Sequence, residues 1–267
     1  MEIMADAVPQ LDMSPHIFLW CHPRSLSSVF ERSIRELKGV KVFYEAHVNV
    51  YYQGQYTKPI LPKEDPQFTF EAVDESLTQP YAEYDAVFIR DHAYFLKGRY
   101  KNYTSGAFSA FKHTFLIRDP YKSFSSFIRL GKEAEIDIVP EEYGVRELYD
   151  MYKTVKASVD PNPVVVDADD LIMNPRGIMK SYCNATGLKY TDDMLTWTPG
   201  IVEDWKKANP HCHKFQEKAM MSSGFIKPED GTTSQTMNID DLSDDVKEIL
   251  EDSMTCYQEM YSVRIKL

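Results

Sequence analysis

Ile17-Phe18-Leu19-Trp20-Cys21-His22-Pro23-Arg24-Ser25-Leu26-Ser27-Ser28-Val29-Phe30 is the stretch on which the fold turns. An unbroken apolar run, Ile17 to Cys21, reads as a strand buried on both faces. A short polar turn follows, and a helical pattern opens among serines. A strand that passes through a tight turn into a helix aims backbone N–H groups and the positive helix end at one spot, which makes an anion site. The hydroxyls of Ser25, Ser27 and Ser28 add donors, and Arg24 adds a fixed charge. An ordinary serine helix cap would read the same way, so the passage alone leaves both readings open.

Four further runs have the same apolar character: Val40–Ala46, Ala86–Asp91, His113–Arg118 and Pro163–Asp167. Helical patterns fall between or after them at Ser27–Leu37, Tyr121–Lys132 and Arg176–Thr186, with Gly187 as the C-cap of the last. Ser243–Val263 reads as a closing amphipathic helix with Asp244 and Asp245 in its first turn. Strands alternating with helices give an α/β fold of three layers, with a mostly parallel five-stranded sheet flanked by helices. Residues 1–14 read as a flexible leader and 15–267 as one domain. Tyr51–Tyr84, rich in prolines and aromatics, reads as an irregular insertion, either a binding loop or a solvated surface excursion.

Composition narrows the function. The chain has 267 residues, is 43% hydrophobic and carries a net charge of −11, which argues against nucleic acid as a partner. No apolar run reaches the ~20 residues of a membrane helix. No basic start with an apolar run precedes Met13, so the four cysteines are expected reduced in a cytoplasmic protein and the sequons at Asn102 and Asn184 unused. His211-Cys212-His213 imitates a metal cluster, but adjacent residues rarely close a site, and no metal is expected.

Two more passages end in chemistry-bearing residues. Phe115-Leu116-Ile117-Arg118-Asp119-Pro120 ends a strand with an arginine, starts a helix at a proline and places Ser126 one turn or more inside it. Val87-Phe88-Ile89-Arg90-Asp91-His92 ends a third strand next to a histidine that could act as a base or sit as a structural side chain. The G-x-x-x-x-G-K-[ST] loop of kinases and nucleotide hydrolases, with its lysine and magnesium-binding hydroxyl, is absent.

These passages together resemble the PAPS-dependent sulfotransferases, which have a P-loop NTPase-like fold; PAPS is 3′-phosphoadenosine 5′-phosphosulfate. Pro23, Arg24 and Ser25 match that family's 5′-phosphosulfate loop in order, with Ser27 and Ser28 at its hydroxyl positions. Arg118 and Ser126 match its 3′-phosphate signature, and Arg90-Asp91-His92 matches the Lys/Arg-x-His stretch that carries the base. The resemblance implies transfer of a sulfuryl group from PAPS to a hydroxyl or amine of a small molecule, by in-line attack with His92 as base and Arg24 on the developing charge. It implies a cofactor site of Pro23, Arg24, Ser25, Leu26, Ser27, Ser28, Arg118, Ser126 and, in place of the family's late basic stretch, Lys227. Val164 to Pro175 also follows the family pattern, in a structural role.

Three departures mark a divergent small-molecule branch. Leu26 replaces the loop glycine, so the turn should avoid a left-handed conformation there. Val29 stands where many members stack a tryptophan on adenine, and Arg24 replaces the commoner lysine. An acceptor pocket is expected from Tyr44, Glu45, His47, Tyr51 and Tyr52, with Phe43 and Tyr56 nearby. Trp197, Trp205 and residues 206–218 are expected beneath the closing helix. The alternatives are a nucleotide-dependent small-molecule kinase and a nucleotide-binding protein without catalysis. The first needs a Walker lysine, and the second has no use for both Arg24 and His92.

Overall fold

The computed structural model describes residues 14–54, 65–208, 213–227, 238, 240 and 242–267. Its sheet contains β1 (His16–Cys21), β2 (Val40–Tyr44), β3 (Ala86–His92), β4 (Lys112–Ile117) and β5 (Val164–Asp167), in the order β2-β3-β1-β4-β5. Every pairing is parallel. The helices are α1 (Ser27–Arg35), α2 (Val48–Gln53), α3 (Phe70–Leu77), α4 (Pro120–Ala134), α5 (Val145–Ser158), α6 (Ala168–Met173), α7 (Pro175–Thr186), α8 (Glu203–Ala208), α9 (His213–Met221) and α10 (Asp244–Ser262).

Alternation along the strands decides the layers, because successive side chains point to opposite faces. Phe18, Trp20, Val87, Ile89, Phe115 and Val165 pack on one face with residues of α3, α4, α5 and α10. Ile17, Leu19, Phe88, Leu116 and Val166 pack on the other with residues of α1, α6 and α7. Both faces are covered, which is why the runs are continuous rather than alternating in sequence. The caps follow local chemistry. Asp119 and Asn174 accept from first-turn N–H groups of α4 and α7, each of which starts on a proline, and Gly187 closes α7 at φ 80°.

The expected architecture holds, with strand ends moved by one or two residues. Two local expectations fail. Part of the supposedly irregular 51–84 segment is helical: α2 covers its first residues, and α3 is capped by Thr69 accepting from Ala72. Trp197 and Trp205 do not lie under α10, which packs on α4 and α5. Trp205 sits instead among Tyr44, Tyr94 and Phe95 and donates to Glu31 at 2.8 Å. Trp197 donates to Ser222 at 3.1 Å and edges against Phe225. The polar aromatic N–H groups chose these places, since each needs a partner once buried. Residues 1–13, Tyr56 and the 211–212 pair lie outside the described residues.

Gly144 precedes α5 at φ 70°, and a Cβ there would meet Tyr94 Cδ1 at 3.1 Å and Pro23 Cδ at 3.2 Å. Gly144→Ala should therefore destabilise the protein by about 1–3 kcal/mol, the usual cost of a strained backbone position. Urea unfolding of the two proteins side by side checks this, and an unchanged midpoint would contradict the strain.

Candidate active site

Three strands deliver the site. β1 and β4 are neighbours from which the chain departs in opposite directions, and the carboxyl ends flanking such a switch point form a ligand crevice in open α/β sheets. Arg24 follows β1, Arg118 follows β4, and His92 ends β3. Arg24 and His92 both line a cavity of about 300 Å³. Pro23, Arg24, Ser27, Ser28, Glu45, Arg90 and His92 line its polar part, and Phe95, Phe127, Ile136, Ile138 and Phe215 its apolar part.

The turn after β1 corrects one expectation. Leu26 is left-handed, at φ 67° and ψ 19°, and Arg24 also has a positive φ of 63°. The glycine of the resembled loop was thus replaced in residue type and kept in conformation, at a cost that surrounding contacts must cover. One such contact is His22. Its buried Nδ1 donates to the Pro23 carbonyl at 3.1 Å, and its Nε2 accepts from the Arg118 backbone N–H at 3.2 Å. Burial, together with the nearby charges of His92 and Arg118, lowers its pKa to about 3, so His22 stays neutral in the tautomer those bonds require. Sequence reading passed over His22 as a loop residue; its position between a strand end and a proline was the only signal.

Leu26 caps α1 without a side-chain hydrogen bond, and no acidic residue occupies the first turn. The first helical bond is Phe30 N–H to Leu26 O. Among the described bonds, none engages the N–H groups of Ser27, Ser28 and Val29, so three donors at a positive helix end remain for a ligand. Ser25 does not join them; its hydroxyl turns back to the His22 carbonyl at 2.7 Å.

The two phosphate-type motifs meet. Arg118 Nη1 donates to the Arg24 carbonyl at 2.8 Å, and Arg24 Nε donates to Ser126 Oγ at 3.1 Å. Arg24 Nη1 reaches the Phe215 carbonyl of α9. Burial and the neighbouring Arg118 and Arg129 lower the Arg24 pKa to about 10, the mark of crowded positive charge. The Nε of Arg118 is buried and has no partner among the described residues. An orphaned guanidinium donor beside a second arginine and a serine fits a bound phosphate. Lys227 is exposed beyond the Thr196–Gly224 bridge, and no described contact joins it to Arg118.

At the opposite end, His92 and Glu45 form a pair. Nδ1 of His92 faces the Cys21 carbonyl at 3.3 Å and the Cys21 sulfur at 3.4 Å, while Nε2 lies 3.2 Å from Glu45 Oε1. The Cys21 S–H is itself directed to the Asp91 carbonyl. Both ring nitrogens therefore face acceptors, which selects the imidazolium. Burial opposes that charge, but Cys21 and Glu45 outweigh it and raise the His92 pKa to about 10. Glu45 shows the counterpart: burial would raise it, while Arg90 and His92 bring it down to about 2. The neutral histidine expected from sequence is thus a charged one in this structure.

Arg90 holds this arrangement from behind. Its Nε donates to Glu31 at 2.7 Å and its Nη1 to Glu45 at 2.7 Å, and its guanidinium lies 4.4 Å from the Tyr44 ring centroid. Of the expected acceptor residues, Glu45 and Tyr52 line the cavity. Tyr44 and Tyr51 are buried behind it, Tyr51 edge-on to Tyr94. His47 is fully buried between Asp91 at 2.6 Å and the Tyr103 hydroxyl at 2.6 Å. His47 and Asp91 satisfy one another, which removes both from the site. Sequence reading missed Glu31, Tyr94, Phe127, Phe215 and Gln216. Glu31 alone carried a signal, an acidic residue one turn after Ser27 on a helix otherwise buried.

With this geometry in place, comparison with known proteins is informative. No protein-family model matches the chain. The sulfotransferase domain from the curacin biosynthetic pathway superposes over 90% of this chain and 97% of that domain, with TM-score 0.51 at 12% identity. The chain has a sulfotransferase-like fold. The sulfotransferase domain of the Synechococcus PCC 7002 olefin synthase aligns over 92% of this chain and 96% of that one, at 15% identity and TM-score 0.48. Among curated proteins, the branched-chain-amino-acid aminotransferase-like protein 2 of Arabidopsis thaliana is 27% identical over 118 residues, 44% of this chain and 20% of that protein. Its homologue, protein 1, is 26% identical over 117 residues. The match thus spans about a fifth of the length of these relatives. Among the described residues, no helix is long and apolar enough to cross a membrane, and no three His, Cys, Asp or Glu side chains gather as a metal site.

Removing Arg90 while keeping its shape isolates the pair it neutralises. Arg90→Met leaves Glu31 and Glu45 buried without their shared cation and should cost about 3–5 kcal/mol. Chemical denaturation checks the value, and a loss under about 1 kcal/mol would show that the network is dispensable.

Proposed function

We propose that this chain is a sulfotransferase that moves the sulfuryl group of PAPS to a hydroxyl or amine of a small molecule. The observation that carries this reading is that Arg24, which donates to Ser126 and accepts at its carbonyl from Arg118, lines the same cavity as His92 and Glu45. Two adjoining anion-binding groups, one after β1 and one after β4, suit a nucleotide with phosphates at both its 3′ and 5′ positions. The free N–H groups of α1 and the side chain of Arg24 suit the 5′ phosphosulfate, and the orphaned Nε of Arg118 the 3′ phosphate. When bound, PAPS supplies an activated sulfur whose bond to the phosphate oxygen breaks as the acceptor oxygen or nitrogen bonds to it.

The chain's own residues then have three tasks. Arg24 and the α1 amide groups hold the charge that gathers on the departing phosphate. The apolar side of the cavity excludes water from the acceptor. His92 receives the acceptor's proton at Nε2, in the state where the imidazolium has first given up its own. Glu45 sets how populated that state is. No covalent intermediate on the chain is required. A nucleotide-dependent kinase and a binding protein without catalysis remain the other readings. The first would need the Walker lysine that the anion loop lacks, and the second has no use for both Arg24 and His92.

Two measurements test the reading. Arg118→Ala should weaken PAPS binding by about 1.5–3 kcal/mol per lost charge-assisted hydrogen bond and barely alter binding of adenosine 5′-phosphosulfate, which lacks the 3′ phosphate. Equal losses for both ligands would make Arg118 a fold residue only, and stabilisation by magnesium-ATP but not by adenosine 3′,5′-bisphosphate would favour the kinase.

The second measurement uses pH. Because the folded pKa of His92 is raised to about 10, its imidazolium form stabilises the fold fully below pH ~6.5 and that contribution disappears as pH rises through about 10. Glu45 is depressed to about 2, so its contribution is present above ~4.5 and disappears as pH falls through about 2. The pair is therefore intact at neutrality, and kcat/KM should climb with pH toward about 10 as neutral His92 appears. Glu45→Gln should move that limb to lower pH, since one of the groups that raise the His92 pKa is then gone. A profile that is flat from neutrality upward, and unmoved by Glu45→Gln, would take His92 out of proton transfer.

A further inference from the structure

Gln216 is a polar group at the acceptor end of the cavity that the proposed reaction does not use. Gln216, on α9, is 4% exposed and lines the cavity. Its Nε2 donates to the Tyr44 hydroxyl, and its Oε1 has no partner among the described residues. Buried carbonyl oxygens are almost always hydrogen-bonded, and leaving one unmatched costs its full desolvation. Tyr44, its partner, is itself pinned against the Arg90 guanidinium.

Glu45, Glu135 and Glu142 line the same cavity. Of its two arginines, Arg90 is neutralised by Glu31 and Glu45, and Arg24 stands at the anion loop. Phe127 and Phe215 pack beside one another at 5.9 Å between ring centroids and supply apolar wall. The acceptor end thus offers an apolar surface, the unmatched Gln216 oxygen and carboxylates, with the cations Arg90 and His92 already paired with Glu31 and Glu45.

From this we infer that Gln216 selects the acceptor: it accepts a hydrogen bond from a second polar group, an amine or a hydroxyl, at the end of an apolar molecule whose other end is the nucleophile. The inference rests on the sulfotransferase reading for which end reacts, but the selectivity itself is a binding property. A molecule with a donor at that end pairs the orphaned oxygen; an apolar end leaves it buried and unmatched, and sites built around such a group discriminate strongly. A carboxylate end meets a carbonyl oxygen and like charges and is rejected.

The test compares para-substituted phenols bearing an aminoethyl, hydroxyethyl, propyl or carboxyethyl group, and linear octanols ending in an amine, hydroxyl, methyl or carboxylate. Binding to the full chain is measured by calorimetry, with and without saturating adenosine 3′,5′-bisphosphate. Amine and hydroxyl ends should bind at least about tenfold more tightly than the propyl or methyl ends in one series or both, with carboxylates weakest. Gln216→Leu should bring donor-bearing and apolar ends within about threefold, and Gln216→Glu, which keeps the size and adds charge, should enlarge the preference for the amine. Equal binding of donor and apolar ends, tightest binding of the carboxylates, or no binding in either series overturns the inference. Failure of the bisphosphate to bind would instead count against the nucleotide reading, and the titrations on the free protein would still report on Gln216.

Discussion

A charged side chain removed from water must find its opposite, and here that requirement falls on Arg90. It is fully buried at the end of β3, and its partners come from two other elements, Glu31 of α1 and Glu45 beyond β2. One guanidinium therefore fixes the helix that opens the anion loop, the strand beside its own and the carboxylate that meets His92. Losing that guanidinium would leave the two buried carboxylates with only Arg35 and His92 as charged partners. Arg35 and Trp205 extend it by donating to Glu31, which brings α8 onto the same centre. Glu45 itself has a positive φ of 41°, a backbone strain that its two charged partners hold in place.

The same network changes what the Arg-Asp-His stretch can do. A basic residue two before the histidine could point at the transferring group. Arg90 is instead consumed by two carboxylates, and its charge is spent inside the protein. That leaves Arg24 and the α1 amide groups as the cationic face of the anion end. Arg24 is in turn held to Ser126 and to the Phe215 carbonyl, on α9. Phe215 and Gln216 of α9 line the cavity, so one short helix supplies the acceptor wall and also touches the anion-side arginine.

What the sequence revealed and what it hid divide along a physical line. Continuous apolar runs, capped helices and proline starts are local and strong signals, and they gave the parallel sheet, the two helical layers and the strand ends carrying Arg24, His92 and Arg118. The anion loop was legible because its chemistry sits on consecutive residues. The acceptor side was not, because it is assembled from distant pieces: α2, the segment after β3, α4 and α9. Tyr44, His47 and Tyr51 look like pocket residues in a list of aromatics, yet they face inward, since alternation and helical turn decide orientation and composition does not. His47 shows the point most clearly: next to Glu45 in sequence, it is held by Asp91 and Tyr103 within the core. Leu26 failed for a different reason. Residue preference disfavours a left-handed leucine by about 1–2 kcal/mol, and a loop tethered by His22 and Arg118 can overrule a preference of that size.

Overall acidity and a local anion site are compatible here because charge is compensated unevenly. The chain carries a net charge of −11, yet Arg24, Arg118 and Arg129 lie close enough to depress the pKa of Arg24. Arg24 meets a serine and a carbonyl oxygen rather than a carboxylate, and Arg118 likewise donates to a carbonyl. Neutral partners orient a guanidinium without cancelling its charge, whereas Glu31 and Glu45 cancel that of Arg90. Within one cavity, arginines with neutral partners build the end that attracts anions. An arginine with two anionic partners builds the end that does not, and the boundary between them is where an acceptor would meet the anion loop.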